Sequence, residues 1–203
     1  MSTVAEHVTT PGVVAIVRLD DYSMAAEMVK ALHAGGIRAV EFTYTNPRAG
    51  EAIAAAVASG GREVAIGAGT VLDPETARAA ILHGAQFIVT PTLDAETIRL
   101  CRRYGVPTVI GAFTPTEILA AWQHGATYVK VFPASSVGPR YLKDIRGPLP
   151  QIPLIPTGGV TRENAGEFIR AGAVAVAVGG NLVDARIVAE RDWAALTARA
   201  RGL

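Results

Sequence analysis

Residues 108–133 read TVIGAFTPTEILAAWQHGATYVKVFP, and this stretch decides the fold because it holds one complete repeat of the pattern that fills the chain. Its first six residues form an apolar run that predicts a buried strand. Thr114 and Pro115, with Glu117 close behind, are typical of a helix N-terminus. Gly125 marks the predicted end of that helix, and the last six residues predict the next strand.

The same alternation runs along the whole chain. Short apolar or β-branched runs predict eight strands, at 13–18, 39–44, 64–70, 87–91, 108–113, 128–133, 153–158 and 174–180. Asp73 and Asp94 mark two further helix starts. Left-handed helix ends are predicted at glycines that precede the next strand, namely Gly35 and Gly36, Gly60 and Gly61, Gly84, Gly105, Gly125, Gly147 and Gly172. Helices between the strands predict that the strands run parallel, because each return needs a crossover.

Eight such units in 203 residues predict an α/β fold, a (β/α)8 TIM barrel in which residues 1–203 form a single domain. A compact, open Rossmann-like sheet is the alternative. Open doubly wound sheets seldom reach eight units, and no G-x-G-x-x-G follows the first predicted strand. The barrel is therefore favoured.

Composition excludes several classes of partner. The chain has 19 Lys+Arg against 18 Asp+Glu, with no cluster of basic residues, so we expect neither a nucleic-acid nor a membrane partner. The N-terminal residues lack the pattern of a signal peptide. The single cysteine, Cys101, has no partner for an internal disulfide and is expected in a helix as a small hydrophobic residue. We therefore expect a cytoplasmic protein.

Three charged residues lie in or at the end of predicted strands, where a charge is costly unless it faces a polar cavity or a partner: Arg18, Glu41 and Lys130. Lys130 lies within an apolar run, and burial lowers the pKa of an amine because the ammonium form loses hydration. A neutral lysine is the nucleophile that attacks a ketone to form an imine. The alternative is a structural ion pair between Lys130 and Glu41.

Glu41 is predicted near the mouth of the barrel, where a carboxylate can take a proton from a substrate hydroxyl and return it later. The alternative role is to neutralise Lys130 or Arg18, and the two roles are compatible.

Two glycine pairs follow the last two predicted strands, where barrels often bind phosphate. Gly158 and Gly159 follow Thr157, and Gly179 and Gly180 precede Asn181. Glycine lets backbone N–H groups approach phosphate oxygens, and a following helix N-terminus favours negative charge. The pairs together predict a phosphate site.

Small and hydroxyl-bearing residues end strands three and four, with Thr70 after one and Pro91 between two threonines after the other. They leave room for a ligand and donors for its carboxylate. The histidines are scattered over the N-terminus and predicted helix ends, at His7, His33, His83 and His124. Because they form no metal-ligand pattern, we expect neither a metal nor any other cofactor.

Six motifs now identify a resemblance. They are VEFT at 40–43, GAGTV at 67–71, VKVFPA at 129–134, GP at 147–148, PTGGV at 156–160 and GG at 179–180. The lysine motif, with E-x-T upstream and P-T-G-G downstream, is the specific combination. The chain resembles the family of bacterial 2-keto-3-deoxy-6-phosphogluconate (KDPG) and 4-hydroxy-2-oxoglutarate (KHG) aldolases.

The resemblance implies roles for these residues. Lys130 becomes the Schiff-base lysine and Glu41 the general acid/base; Thr70, Pro91 and Phe132 surround the pyruvyl group. The glycines Gly158, Gly159, Gly179 and Gly180 bind near the phosphate. It also implies a homotrimer and a cytoplasmic role in carbohydrate metabolism, in the Entner–Doudoroff pathway.

Two positions depart from the family pattern. Many members read E-x-T-x-R, but Thr45 occupies the arginine's place in the substrate site. In another branch an arginine ends strand one, where this chain has Arg18, so the substrate's anion is expected to be bound from there. Asn181 replaces a serine found in some members, and its amide can still donate a hydrogen bond.

The predicted function is a class I aldolase. It cleaves KDPG to pyruvate and glyceraldehyde 3-phosphate, or KHG to pyruvate and glyoxylate, through an imine on Lys130. The alternatives are an aldolase for the phosphogalactonate epimer, a phosphate-sugar isomerase or epimerase that needs no imine, and a barrel that only binds a keto acid.

Overall fold

The computed structural model describes residues 3–60 and 63–203. Within them, eight parallel strands form one sheet: β1 Val13–Val17, β2 Ala39–Thr43, β3 Ala65–Gly69, β4 Phe87–Val89, β5 Thr108–Ala112, β6 Tyr128–Val131, β7 Leu154–Pro156 and β8 Val176–Val178. Every predicted run contains a strand. Each strand is shorter than its run because the last residues of each run turn towards the loops.

Ten α-helices accompany the strands in the described parts of the chain: α1 Val4–Thr9, α2 Ala25–Ala34, α3 Ala49–Gly60, α4 Pro74–Leu82, α5 Ala95–Arg103, α6 Pro115–His124, α7 Gly138–Arg146, α8 Arg162–Arg170, α9 Ala185–Ala189 and α10 Trp193–Arg201. The predicted starts are confirmed. The side chains of Asp73, Asp94 and Thr114 each accept a hydrogen bond from the backbone N–H three residues later.

Most glycine predictions are also confirmed. Gly36, Gly84, Gly105, Gly125 and Gly172 have positive φ values, as left-handed helix ends require. The prediction for Gly35 is wrong, because its φ of −83° is right-handed. The prediction for Gly147 is also wrong, because its φ of −56° is right-handed. Its N–H donates to the carbonyl of Asp144, so the chain continues in a tight right-handed turn. The prediction for Gly61 lies outside the described residues.

The sheet closes into a barrel. Its strand order is β7-β6-β5-β4-β3-β2-β1-β8, and β7 and β8 meet at a single parallel bridge between Thr157 and Ala177. One further hydrogen bond, from Val174 N–H to the Leu154 carbonyl, joins the same two strands at 3.0 Å. The predicted TIM barrel is confirmed and the open sheet is wrong. The junction of β7 and β8, here called the seam, has fewer backbone links than the β1–β2 pair.

The interior of the barrel is filled by alternate residues of the strands. Its apolar cluster comprises Val14, Ile16, Ala39, Ala65, Phe87, Val89, Val109, Tyr128, Ile155, Ala175 and Ala177. Val8 of α1 packs against this cluster. Because side chains alternate along a strand, the next position of the same parity also faces inward, one layer closer to the loops.

Cys101 is fully buried in α5, as predicted, and burial raises the pKa of its thiol to about 12. Among the described residues, no helix combines the length and the apolar character that crossing a bilayer requires.

Candidate active site

Alternate residues of each strand point into the barrel, and this alternation places most of the predicted site residues at one end of it. Arg18 continues the series of Ile16, Lys130 continues that of Tyr128, and Thr157 continues that of Ile155. A cavity at this end is lined by Ile16, Arg18, Lys130, Phe132, Thr157, Gly158, Gly159, Val160, Ala177, Gly179, Gly180 and Asn181. Nine of the thirteen predicted site residues therefore surround one space.

Lys130 is buried at the floor of this cavity, with 3% of its surface exposed. Its Nζ lies 4.9 Å from the ring centre of Phe132. Burial lowers the pKa of Lys130, the nearby carboxylate of Glu41 partly offsets this, and the positive charge of Arg18 lowers it further. The environment therefore favours the neutral amine.

Glu41 is the middle residue of β2 and is 2% exposed. Burial raises its pKa, while Lys130 and Arg18 act in the opposite direction. No acidic oxygen of the described residues lies within 4.0 Å of Lys130 Nζ, so the two side chains are not a structural ion pair. Glu41 Oε2 also lacks a hydrogen-bond partner among the described residues. Both groups are thus shifted towards their neutral forms.

A glycine makes room for the Glu41 carboxyl group. An added Cβ on Gly69 would lie 2.6 Å from Glu41 Oε1, which is too close for any real contact. Gly69 is paired with Thr43 in the neighbouring strand, so its position is set by the sheet register. A side chain there would displace the carboxyl group.

Arg18 extends across the mouth of the barrel. Its Nη2 donates to Thr70 Oγ1 over 3.3 Å, which joins the end of β1 to the end of β3. Thr70 has a φ of +55°, a backbone conformation that is rare for a β-branched residue. The guanidinium group is exposed and its charge reaches both Glu41 and Lys130.

The two glycine loops form the opposite side of the cavity. Gly159 has a φ of +72°, and an added Cβ would lie 2.6 Å from the Cβ of Ser135. Ser135 belongs to the 3₁₀ turn Ala134–Ser136 that follows β6. The loop that contains Gly159 is therefore packed directly against the segment that follows Lys130.

Four predicted residues lie outside the lining of this cavity: Glu41 and Thr70, described above, and Thr45 and Pro91. Thr45 is in an adjoining hollow beyond Arg18, together with Asn46 and Arg48. Pro91 packs against β5, where an added Cβ on Gly111 would lie 2.1 Å from its carbonyl carbon. Their proposed substrate contacts stay predictions.

Sequence reasoning missed several residues that build the site. Ile16 and Ala177 form part of the cavity lining, and the alternation within β1 and β8 would have located both. Asn164 was also missed. Its side-chain amide donates a hydrogen bond to the carbonyl of Gly159. In the sequence, only the position of Asn164 near a predicted helix start indicated a polar role.

No group of three or more histidine, cysteine, aspartate or glutamate side chains among the residues described could hold a metal ion.

Comparisons with known proteins agree on one family. The family model described as KDPG and KHG aldolase matches residues 4–199. The 2-dehydro-3-deoxy-6-phosphogalactonate aldolase of Escherichia coli K12 is 38% identical over 88% of this chain and 87% of its own length. The 2-dehydro-3-deoxy-phosphogluconate aldolase of Treponema pallidum is 34% identical over 98% of this chain and 94% of its own.

A solved structure extends the comparison. The KDPG aldolase of Legionella pneumophila, with pyruvate captured at low pH as a covalent carbinolamine intermediate, superimposes with a TM-score of 0.89. It is 27% identical, and the match covers 99% of this chain and 97% of that one.

Proposed function

This chain belongs to the KDPG and KHG aldolase family, and on that premise we propose that it is a class I aldolase that cleaves KDPG, KHG or both through an imine on Lys130. The observation that carries the proposal is a lysine 3% exposed on the cavity floor, with a lowered pKa and a carboxyl group nearby. A buried amine of this kind is a nucleophile near neutral pH.

The reaction begins when neutral Lys130 attacks the C2 carbonyl carbon of the keto acid and forms a carbinolamine. Loss of water gives a protonated imine, whose positive charge lies close to Glu41. A nearby cation lowers the pKa of a carboxyl group, so Glu41 then becomes an effective base. The two groups start near neutrality and become charged only once the substrate is attached.

Glu41 next removes the proton from the C4 hydroxyl group, directly or through water. The C3–C4 bond breaks, its electron pair moves into the imine to form an enamine, and the aldehyde leaves. Protonation of the enamine at C3 restores the imine, and water then hydrolyses it. Pyruvate is released and Lys130 returns to the neutral amine.

Arg18 is proposed to bind the substrate carboxylate in place of the arginine that Thr45 replaces. Its position across the mouth of the barrel and its hydrogen bond to Thr70 support this role. An arginine offers paired donors that match a carboxylate. The glycine loops at the far side of the cavity then bind the distal phosphate.

The test is borohydride reduction in the presence of pyruvate, followed by peptide mass mapping. The chain has three lysines, Lys30, Lys130 and Lys143, so the modified position is identified directly. We expect the added mass on Lys130. Modification of another lysine, or of none, would contradict the proposal. Retained turnover in Lys130→Ala would favour an isomerase or epimerase, and tight keto-acid binding without turnover would indicate a binding protein.

A second candidate substrate is the phosphogalactonate epimer of KDPG. It is supported by the 38% identical relative, which is itself named a phosphogalactonate aldolase. The two substrates differ in configuration at C4, so kcat/KM on the two epimers decides between them. A higher value on the galactonate epimer would replace KDPG as the assigned substrate.

The proposal also covers the oligomeric state, the domain organisation and the cellular location of the protein. We propose a homotrimer, residues 1–203 as a single domain, and a cytoplasmic enzyme acting in the Entner–Doudoroff pathway. Exposed apolar side chains such as Leu72, Leu82 and Phe113 support self-association. Light scattering after gel filtration should give three times the chain mass of 21.1 kDa. A monomer mass would contradict the trimer.

A further inference from the structure

Two asparagine side chains hold the loop that joins β7 to α8. Asn164 Nδ2 donates to the carbonyl of Gly159 over 2.9 Å, and Asn181 Nδ2 donates to the carbonyl of Val160 over 2.9 Å. Asn164 lies in the first turn of α8, and Asn181 lies in the loop after β8. Two consecutive carbonyl groups are therefore held by amides from different elements.

Peptide geometry determines where the N–H groups then point. A trans peptide is planar, so its C=O and N–H groups point in opposite directions. The carbonyl of Gly159 points to Asn164, and the Val160 N–H therefore points away from it. In the described chain, the backbone N–H groups of Gly159, Val160, Gly180 and Asn181 donate no hydrogen bond to the protein. All four residues line the cavity.

Asn181 also links the two glycine loops across the seam. The backbone joins this part of the barrel at one bridge and one further hydrogen bond, so few other links set the distance between the loops. Asn181 lines both the cavity and a neighbouring hollow that also contains Arg162 and Arg199. Its hydrogen bond to Val160 therefore contributes a cross-link at the place where the barrel has fewest.

We propose, building on the aldolase function above, that Asn164 and Asn181 are positioning residues for the distal phosphate. They hold the loop carbonyls away from the phosphate, so that the N–H groups of both loops converge on it. Asn181 acts through the carbonyl of Val160 and not by donating its own amide hydrogen to the phosphate. Donors fixed before binding lose little freedom when the ligand arrives, which strengthens binding.

The first experiment compares Asn181→Ala with Asn181→Ser. The quantity measured is the ratio of kcat/KM for KDPG, which has a phosphate, to kcat/KM for KHG, which has none. We expect both variants to lower this ratio by about tenfold, because the loss of one hydrogen bond has an effect of about that size on binding. A serine hydroxyl can donate to a bound phosphate but is too short to reach the Val160 carbonyl. A wild-type ratio in Asn181→Ser would show direct donation and overturn the proposal.

The second experiment separates positioning from helix capping. Asn164 Oδ1 accepts from the Thr161 N–H over 2.8 Å, and Asn164→Asp keeps that acceptor while removing the donor to Gly159. We expect unchanged thermal stability and a ratio lowered by about tenfold. Glu163→Gln changes the charge of the same turn by one unit in the opposite direction, so it should raise the ratio by about as much as the added charge of Asn164→Asp lowers it. If Asn164→Asp lowers the ratio by no more than Glu163→Gln raises it, charge accounts for the whole effect and the positioning role is contradicted.

The wild-type enzyme separates failure of this inference from failure of the proposed function. Pyruvate trapping on Lys130 and turnover of KDPG and KHG test the function. Absence of both in the wild type would remove the aldolase proposal. An active wild type, with variants that retain its substrate ratio, would remove only the positioning role.

Discussion

The two ends of the cavity differ in the groups that form them: side chains at one end and backbone at the other. At the proposed catalytic end, Lys130 lines the cavity and Glu41 is buried close to Lys130; the two side chains are 3% and 2% exposed. The proposed anion end is formed by the backbone of two loops, with Gly159 and Gly180 in the cavity lining. The chemistry proposed for Lys130 and Glu41 depends on their burial away from water. The binding proposed for the two loops depends on their backbone conformation.

This difference teaches which substitutions each end tolerates. Burial shifts both members of the side-chain pair towards neutrality, so a change in polarity or position affects catalysis directly. In the proposed function the loops bind phosphate through backbone N–H groups, which every residue except proline carries. They are therefore sensitive to a Cβ or a changed φ value, and the effect should appear in substrate affinity.

The largest effect is expected from Lys130→Met, which keeps an unbranched chain but removes the amine. Turnover of KDPG and KHG should fall by roughly 10⁴-fold or more, because no imine can form. Lys143→Met, at an exposed position on α7, is the matched control and should retain wild-type rates. Steady-state kinetics of both variants provide the measurement. Substantial turnover by Lys130→Met would rule out imine catalysis.

Glu41→Gln should lower kcat by about 10²–10³-fold, since the amide cannot remove the C4 hydroxyl proton. Formation of the pyruvate imine should fall less, because this step does not need that base. Comparison of kcat with the rate of borohydride trapping checks the expectation. Equal loss of both would mean that Glu41 acts mainly by setting the pKa of Lys130.

Gly69→Ala tests the position of the carboxyl group without changing its chemistry. The new Cβ would lie 2.6 Å from Glu41 Oε1, so the carboxyl group must move. A displacement of this kind should lower kcat by roughly 10–10²-fold. Gly166→Ala on α8 is a control for the same substitution at a site away from the cavity. A wild-type kcat in Gly69→Ala would show that Glu41 has freedom to adjust.

At the anion end, Gly159→Ala should raise KM for KDPG by about tenfold. Its φ of +72° and the nearby Ser135 Cβ both oppose a side chain. Gly180→Ala should have a smaller effect, because an added Cβ there meets no atom within 4 Å. KM values for KDPG and KHG in both variants test the pair. An equal rise in KM for KHG, which has no phosphate, would indicate a general disturbance of the barrel.

The smallest effect concerns stability. Burial lowers the Lys130 pKa below its ordinary 10.5, so the unfolded chain binds a proton that the folded chain releases. Wild-type stability should therefore rise with pH between the lowered pKa and 10.5. At neutral pH the melting temperature of Lys130→Met should exceed that of the wild type, by roughly 2–4 °C for each kcal/mol that burial of the lysine costs the folded protein. Melting curves should show this advantage shrinking as pH approaches 10.5. A constant difference would mean that the lysine is charged when buried.

Much of the fold was predictable because its signals are local. Apolar runs, helix caps and glycines act within a few residues, and all eight strands were predicted from them. Gly147 shows the limit of such signals. A glycine permits a left-handed conformation but does not require one, and the turn after α7 is right-handed.

The site was predictable in part for the same reason. Lys130 and Glu41 were found because a charge inside an apolar strand is costly. The links from Asn164 and Asn181 were not found, because an asparagine in a loop has many possible partners. The role of Gly69 was also hidden, since the space that it leaves belongs to a side chain of the neighbouring strand.

The sequence by itself determined the order of strands and helices and the set of residues that face inward, because alternation along a strand is a property of the backbone. Tertiary structure alone decided that Glu41 and Lys130 share a buried space, and that Asn181 reaches Val160 across the seam. Those contacts join residues far apart in the chain, and they exist only once the barrel has closed.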